Sequence, residues 1–217
     1  MKTKMTTTGL LAAGLLAATS ASAQTSPWTV RLGAVHVRFS AQADVQVNGA
    51  PVPGADASAS SNNSLGLELS YDIAPRWTAR FLIGVPPTTT LTGTGALASA
   101  GTLGKVKYGP AVLSATYTLL DSGPVRPYIG AGLNYTVVFK SQDGFISNLD
   151  VKSAFGTVLQ VGAEIPLDGG WSIGLDARKI FVKTKADGVL PAFGGAAAHA
   201  DVRLDPLVVF ASIGKRF

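Results

Sequence analysis

Apolar and polar residues alternate with a period of two along eight stretches of this chain: residues 28–40, 63–72, 77–86, 105–120, 125–140, 153–166, 171–184 and 201–217. Period-two patterning predicts β-strands whose two faces meet different surroundings. The last stretch, DVRLDPLVVFASIGKRF, shows the pattern clearly. One row carries Leu207, Val209, Ala211, Ile213 and Lys215; the other carries Val208, Phe210, Ser212, Gly214 and Arg216.

The links between stretches alternate in length. Residues 73–76, 121–124 and 167–170 are short and carry Pro, Asp or Gly, as tight turns require. Residues 41–62, 87–104, 141–152 and 185–200 are long. Short links at one end and long ones at the other predict an all-β, eight-stranded antiparallel transmembrane β-barrel with short periplasmic turns and long extracellular loops. A secreted β-sandwich has no reason to keep its long loops at one end. The long links are rich in Gly, Ala, Ser, Thr and Pro, which predicts mobile solvated loops at 50–61 and 88–101, with short helical turns conceivable at 96–103 and 144–149.

One face of each stretch is free of charge in its middle: Leu65, Leu67 and Leu69; Phe81 and Ile83; Leu133 and Tyr135; Leu159 and Val161; Ile173 and Leu175. A Lys or Arg at mid-bilayer there would cost about 2–4 kcal/mol, so these rows are expected to face lipid. Trp28, Trp77 and Trp171 open three stretches, and with Tyr71, Tyr117 and Phe217 they predict an aromatic girdle at the periplasmic interface. Lys215 is expected to snorkel.

Composition agrees with this picture and adds an address. Charged residues make up 14% of the chain, against about 25% in soluble domains. Lys2 and Lys4, the apolar run 9–18 and Ala21-Ser22-Ala23 read as a cleavable secretory signal over 1–23, leaving 24–217 as a single outer-membrane barrel domain. Without the two leader lysines the formal net charge falls from +5 to +3, and no basic run suggests nucleic-acid binding. There is no cysteine, so no disulfide holds the chain. After the leader no apolar run approaches the ~20 residues of a spanning helix.

The inward rows carry the functional expectation. Near the periplasmic ends they hold Arg31, Glu68, Asp72, Arg80, Arg126, Glu164, Asp176, Arg178 and Arg216, with Tyr128 and Gln160. Both signs are present, so the expectation is a paired ionic plug filling the lower barrel. Higher up the rows turn apolar: Leu82, Val112, Val138, Val158, Ile180, Val182, Val208 and Phe210, with Gly84 leaving space. That predicts an apolar cup opening outward, from which a hydrophobic guest leaves only sideways into the bilayer. Pro110 lacks an N–H and weakens its ladder, and Pro86 closes the third stretch, so the seam between the third and fourth stretches is the expected lateral exit. The alternative is that these prolines simply end or kink strands above the membrane.

Residues 126–136 (RPYIGAGLNYT), 63–67 (NSLGL), and 202–206 (VRLDP) with the terminal Arg216-Phe217 resemble the OmpW family of small outer-membrane barrels. Residues 83–86 (IGVP) and 108–114 (YGPAVLS) are similar to its AlkL-like, alkane-uptake branch. The resemblance spans the mature chain and implies passive outer-membrane diffusion of small hydrophobic compounds. In that family a Leu and a Trp narrow the lumen; the first position is Leu82 here, and the second is Arg178. The terminal Phe217 also resembles the signal read by the barrel-assembly machinery. Outer-membrane lipid and hydrophobic solutes are the other expected partners.

Other motifs imply less. Gly130-Ala131-Gly132 is followed by Tyr135 and strand patterning, so it is no dinucleotide loop. These glycines are expected to make room for inward bulk such as Tyr128. His36 and His199 are the only histidines and lie far apart, which suggests neither a metal site nor a cofactor. No nucleophile is recognisably placed near His199, Asp201 and Asp205, so the chain is not expected to be an enzyme. The second functional class is a structural or receptor barrel whose outer loops bind phage, bacteriocin or host surfaces.

Overall fold

The computed structural model describes residues 26–217; the expected leader lies outside them. Fourteen strands follow one another: β1 (Trp28–Arg38), β2 (Gln42–Val47), β3 (Ala50–Pro51), β4 (Ala55–Ala59), β5 (Asn62–Ala74), β6 (Trp77–Gly84), β7 (Thr88–Gly95), β8 (Thr102–Thr118), β9 (Arg126–Asp143), β10 (Ser147–Val151), β11 (Ala154–Pro166), β12 (Trp171–Leu190), β13 (Ala196–Arg203) and β14 (Leu207–Arg216). Eight of them close a ring of antiparallel neighbours in the order β1, β5, β6, β8, β9, β11, β12, β14 and back to β1. Closure gives each of the eight strands a neighbour on both sides, the condition for a sheet to span a bilayer.

Alternation sets the two faces. On β1 and β5 the pairs Leu32↔Leu67 and Val30↔Leu69 point outward, while Arg31↔Glu68 points inward. Glycines settle the spacing where bulk meets the wall. A Cβ on Gly132 would fall 2.2 Å from the Leu113 carbonyl oxygen, so β9 and β8 approach too closely for any side chain there. The room for Tyr128 comes from Gly162 on the facing strand, and not from Gly130 or Gly132 as the pattern suggested.

Two aromatic belts bound the apolar band. At the turn end Trp28 packs on Tyr71 at 4.7 Å and Trp77 on Tyr117 at 5.2 Å between ring centroids, and the Lys215 ammonium lies over Trp171. At the far end Tyr135 stacks on Phe155 at 4.4 Å, with Phe139 and Phe181 also exposed. This second belt, absent from the sequence reading, completes the pair of interfaces expected of a membrane barrel.

The long links are the main departure from expectation. They are built structure: β2, β3, β4, β7, β10 and β13 extend the wall above the membrane, and β12 runs unbroken from Trp171 to Leu190. β13 pairs with both β12 and β2, and β4 pairs with β7. Ala, Ser, Thr and Gly make up most of β4 and β7, so these strands have the composition of a loop although they pair along their length. A single short 3₁₀ turn, Ala98–Ala100, falls within one of the two segments expected to hold helical turns; residues 144–149 instead lead into β10. The final stretch is not one strand: it breaks at residues 204–206, where Asp205 takes a positive φ before Pro206.

Candidate functional site: the barrel interior

Three layers fill the interior. The lowest is a polar vestibule of about 490 Å³ lined by Arg31, Asp72, Arg80, Arg126, Tyr128 and Glu164. Its ceiling is a network centred on Glu68, which is 1% exposed. Glu68 Oε1 accepts from Arg31 Nη1 and Arg80 Nη1, both at 3.1 Å, and its other oxygen from Arg178. Arg178 Nε reaches Asp176 Oδ1 at 2.7 Å, and Tyr128 Oη donates to Asp176 Oδ2 at 2.9 Å. Arg31 also pairs with Glu164, and the Arg80 guanidinium lies 4.2 Å from the centre of the Tyr128 ring. Three arginines, two glutamates and Asp176 thus form one connected layer, in which each buried charge has an opposite partner as low dielectric demands.

Three residues expected in this plug are elsewhere. Asp72 and Arg216 make their own half-exposed pair at the periplasmic mouth. Arg126 lines the vestibule and makes no ion pair among the described residues. All three sit near the turn-side ends of their strands, below the level of Glu68.

Above the ionic layer Leu82, Val112, Val158, Ile180, Val182, Val208 and Phe210 interlock with Val35 and Val37 in a packed cluster. An open cup was expected here. An eight-stranded interior is only wide enough to be filled by side chains, and it is filled. Gly66 makes this possible: a Cβ there would fall 2.6 Å from Val35 and 3.1 Å from Phe210. Gly84 leaves no free volume either, since a Cβ on it would meet the Leu65 carbonyl oxygen at 3.0 Å. Asn134, 1% exposed, is a further polar residue at this level, on the inward row of Tyr128.

Empty space begins higher. A cavity of about 70 Å³ is walled by Val37, Phe39, Tyr108, Pro110, Val138, Ile180, Val182, Leu204 and Val208, among others. A second of about 70 Å³ lies among Ala43, Val45, Leu97, Leu103, Ile146 and Leu149 in the upper sheets. The two share Ala59, Leu91, Ala186, Val202 and Leu204 as a common wall. Most of the second chamber comes from the long links and was therefore missed. Val37 and Phe39 were legible, because they continue the inward row of Arg31.

Next to the first cavity the wall is incomplete. β6 and β8 pair from Trp77↔Tyr117 to Leu82↔Val112, and β7 takes over only at Thr88↔Lys107. Between these, residues 83–86 and 109–111 face each other without a ladder pair. Val85 N–H turns away and donates to Leu65 O at 2.9 Å. Pro86 and Pro110 flank the interruption, and the Phe139 ring covers it from outside: a Cβ on Gly109 would lie 3.0 Å from Phe139 and 3.5 Å from Pro86.

The histidines lie apart from all of this. His36 Nδ1 is 2.8 Å from Asn63 Oδ1 on the wall, and His199 Nδ1 is 2.7 Å from Asp187 Oδ1 on the upper sheets.

A closed ring of eight antiparallel strands, largely apolar and belted outside, ionic and then apolar within, defines an outer-membrane β-barrel. Comparison with known proteins specifies which kind. Residues 25–217 match the OmpW family model, and the chain belongs to that family. It is 45% identical over 195 residues to the dibenzothiophene metabolism operon protein PahQ of Pseudomonas aeruginosa, covering 90% of each chain. It is 30% identical to the outer membrane protein AlkL of Ectopseudomonas oleovorans, over 76% of this chain and 71% of that one. The crystal structure of the outer membrane protein OprG from Pseudomonas aeruginosa superimposes with a TM-score of 0.82 at 24% identity, over 89% of this chain and 97% of that one.

Proposed function

We propose that this protein is a passive outer-membrane channel for small hydrophobic molecules, which enter from the exterior and leave sideways into the bilayer. The observation that carries the reading is the sequence of layers: apolar chambers above, a closed ionic layer below, and an unpaired stretch of wall beside the lower chamber. A hydrophobic guest in that chamber meets the packed apolar cluster beneath it and, below that, paired arginines whose desolvation has no compensation. The wall between Pro86 and Pro110 has no ladder to break. The Phe139 ring, which stands over Gly109, is the cover that has to swing aside.

The chamber of about 70 Å³ is smaller than the roughly 150 Å³ cavity that admits benzene, so passage requires the wall to move. The channel therefore rests closed and widens at the seam during transit. The name of its relative PahQ points to aromatic heterocycles of the dibenzothiophene class as solutes to try first. Phe217, half exposed at the end of the last strand, serves in the same proposal as the contact for the barrel-assembly machinery.

The test is uptake of dibenzothiophene by cells expressing the protein, with an empty-vector control and a polar solute of similar size in parallel. Faster entry of the hydrophobic solute alone is expected. Equal entry with and without the protein would sink the proposal.

A further inference from the structure

We propose that Lys105, Lys107 and Lys140 form a site on the outer wall for the phosphate groups of the outer-leaflet glycolipid. The inference depends on the placement of the barrel in the outer membrane and not on what it transports.

Lys107 on β8 is the direct cross-strand partner of Lys140 on β9, and Lys105 follows two residues along, opposite Gln142. All three lysines are exposed, whereas the alternating neighbours Val106 and Tyr108 are buried inward. Strict alternation from Leu133, Tyr135 and Val137 would turn Lys140 into the lumen. A bulge between Lys107 and Tyr108 prevents this: Tyr108 pairs with Val138, Lys107 pairs with Lys140, and Phe139 is the extra residue. The bulge therefore sets two ammonium groups side by side on the outer surface.

Directly opposed like charges destabilise a ladder. Among the described residues none of the three lysines has an ion-pair partner. Asp143, the nearest acid along these strands, is committed to the backbone N–H groups of Asn148 and Leu149. The comparison with the other opposed basic pair is informative. Lys183 faces Arg203, but the neighbouring pairs bring Asp201 opposite Lys185 and Asp44 opposite Asp201, so counter-charge is present on the same surface. At Lys105, Lys107 and Lys140 counter-charge has to come from outside the chain.

The site's height selects its source. Phe139 is 58% and Phe155 75% exposed, and with Tyr135 they form the outer aromatic belt, which belongs at the boundary between acyl chains and headgroups. Lys107 and Lys140 come immediately above it, and Thr88, opposite Lys107 on β7, adds a hydroxyl. A lipid whose acyl chains lie along Leu133, Tyr135 and Phe155 would place its phosphates among these donors, where charge-assisted hydrogen bonds form.

The experiment uses the full barrel reconstituted in phosphatidylcholine nanodiscs doped with bis-phosphorylated lipid A, with dephosphorylated lipid A, or with bis-phosphorylated lipid A and millimolar inorganic phosphate in the buffer. Retained lipid is read by native mass spectrometry, and folding by heat-modifiable gel migration. Wild type should retain the phosphorylated lipid. The K105Q/K107Q/K140Q variant should fold and bind it at least about tenfold more weakly, the effect of losing one hydrogen bond to a charged group. The K183Q/R203Q control and the K107R/K140R variant should bind as wild type does. Equal retention of the dephosphorylated lipid, unchanged retention in the triple variant, or competition by millimolar inorganic phosphate would overturn the proposal. If the triple variant does not fold, Lys140→Gln alone decides the matter by the same retention measurement.

Discussion

Gly162 on β11 stands opposite Tyr128 on β9, and a Cβ on the glycine would lie 2.4 Å from the phenol ring. The ring fits only because that position has no side chain, and its hydroxyl then reaches Asp176. Gly162→Ala should displace Tyr128 from Asp176 and from the Arg80 guanidinium. Overpacking of this kind costs about 1–3 kcal/mol. The temperature at which the folded gel band converts to the unfolded one should drop accordingly, while Ser122→Ala, at an exposed turn position, serves as the control for handling.

Glu68 accepts from three arginines, so removing its charge leaves buried cations with one partner fewer. Breaking a buried network by deleting one member costs about 3–5 kcal/mol. Glu68→Ala should lower stability to urea far more than Asp72→Ala, whose pair with Arg216 is half exposed. Equal losses in the two variants would show that the central carboxylate holds nothing together.

Phe139 covers the unpaired stretch of wall beside Gly109 and Pro86. In the proposed channel, Phe139→Ala should raise the initial rate of dibenzothiophene uptake several-fold without changing entry of a polar solute. Cysteines at Ile83 and Ala111, oxidised to close the seam, should abolish uptake and restore it on reduction. Should the cross-link act while Phe139→Ala does not, the seam is the route and the ring is not its cover.

Asp143, above the membrane, holds the β9–β10 turn by accepting from Leu149 and Asn148 N–H groups. These bonds keep its carboxyl below the usual aspartate range. A carboxyl with a depressed folded-state value contributes stability above its unfolded value, and the contribution disappears as pH falls through the folded one. Hydrogen-exchange protection of Leu149 and Asn148 should therefore persist at neutral pH and decline below about pH 4. Asp143→Asn should show weakened protection at every pH, and no further decline on acidification.

Deep replacements in the apolar cluster need care. Phe210 is 1% exposed and packed against Gly66, so Phe210→Asp would bury an unpaired carboxylate and is expected to prevent folding. Val138→Asp is the better probe of passage. Val138 is half-buried on the wall of the empty chamber, and the variant should assemble normally yet take up dibenzothiophene more slowly than wild type.

What was legible in the sequence was what period two controls. The lipid-facing leucines, the inward Arg31 and Glu68, and the turn-end tryptophans all follow from alternation along uninterrupted strands. Alternation does not report how far an inward side chain reaches, so Asp72, Arg126 and Arg216 were grouped with a network they do not join. Nor does it survive a bulge: Phe139 and Lys140 fall on one face only because the register slips beside Lys107. The upper sheets were illegible for another reason. Residues such as Ala55, Ala57, Ser58 and Ala59 have no apolar face large enough to betray a strand, and their pairing with β7 depends on partners more than thirty residues away.

The upper sheets also turn sharply at Gly49 and at Gly194-Gly195, where all three residues take positive φ and a Cβ would meet nothing within 4 Å. Those hairpin tips are the natural places to graft an epitope or an enzyme for display on the cell surface. Cargo inserted there would stand clear of the wall and leave the order in which the strands assemble untouched.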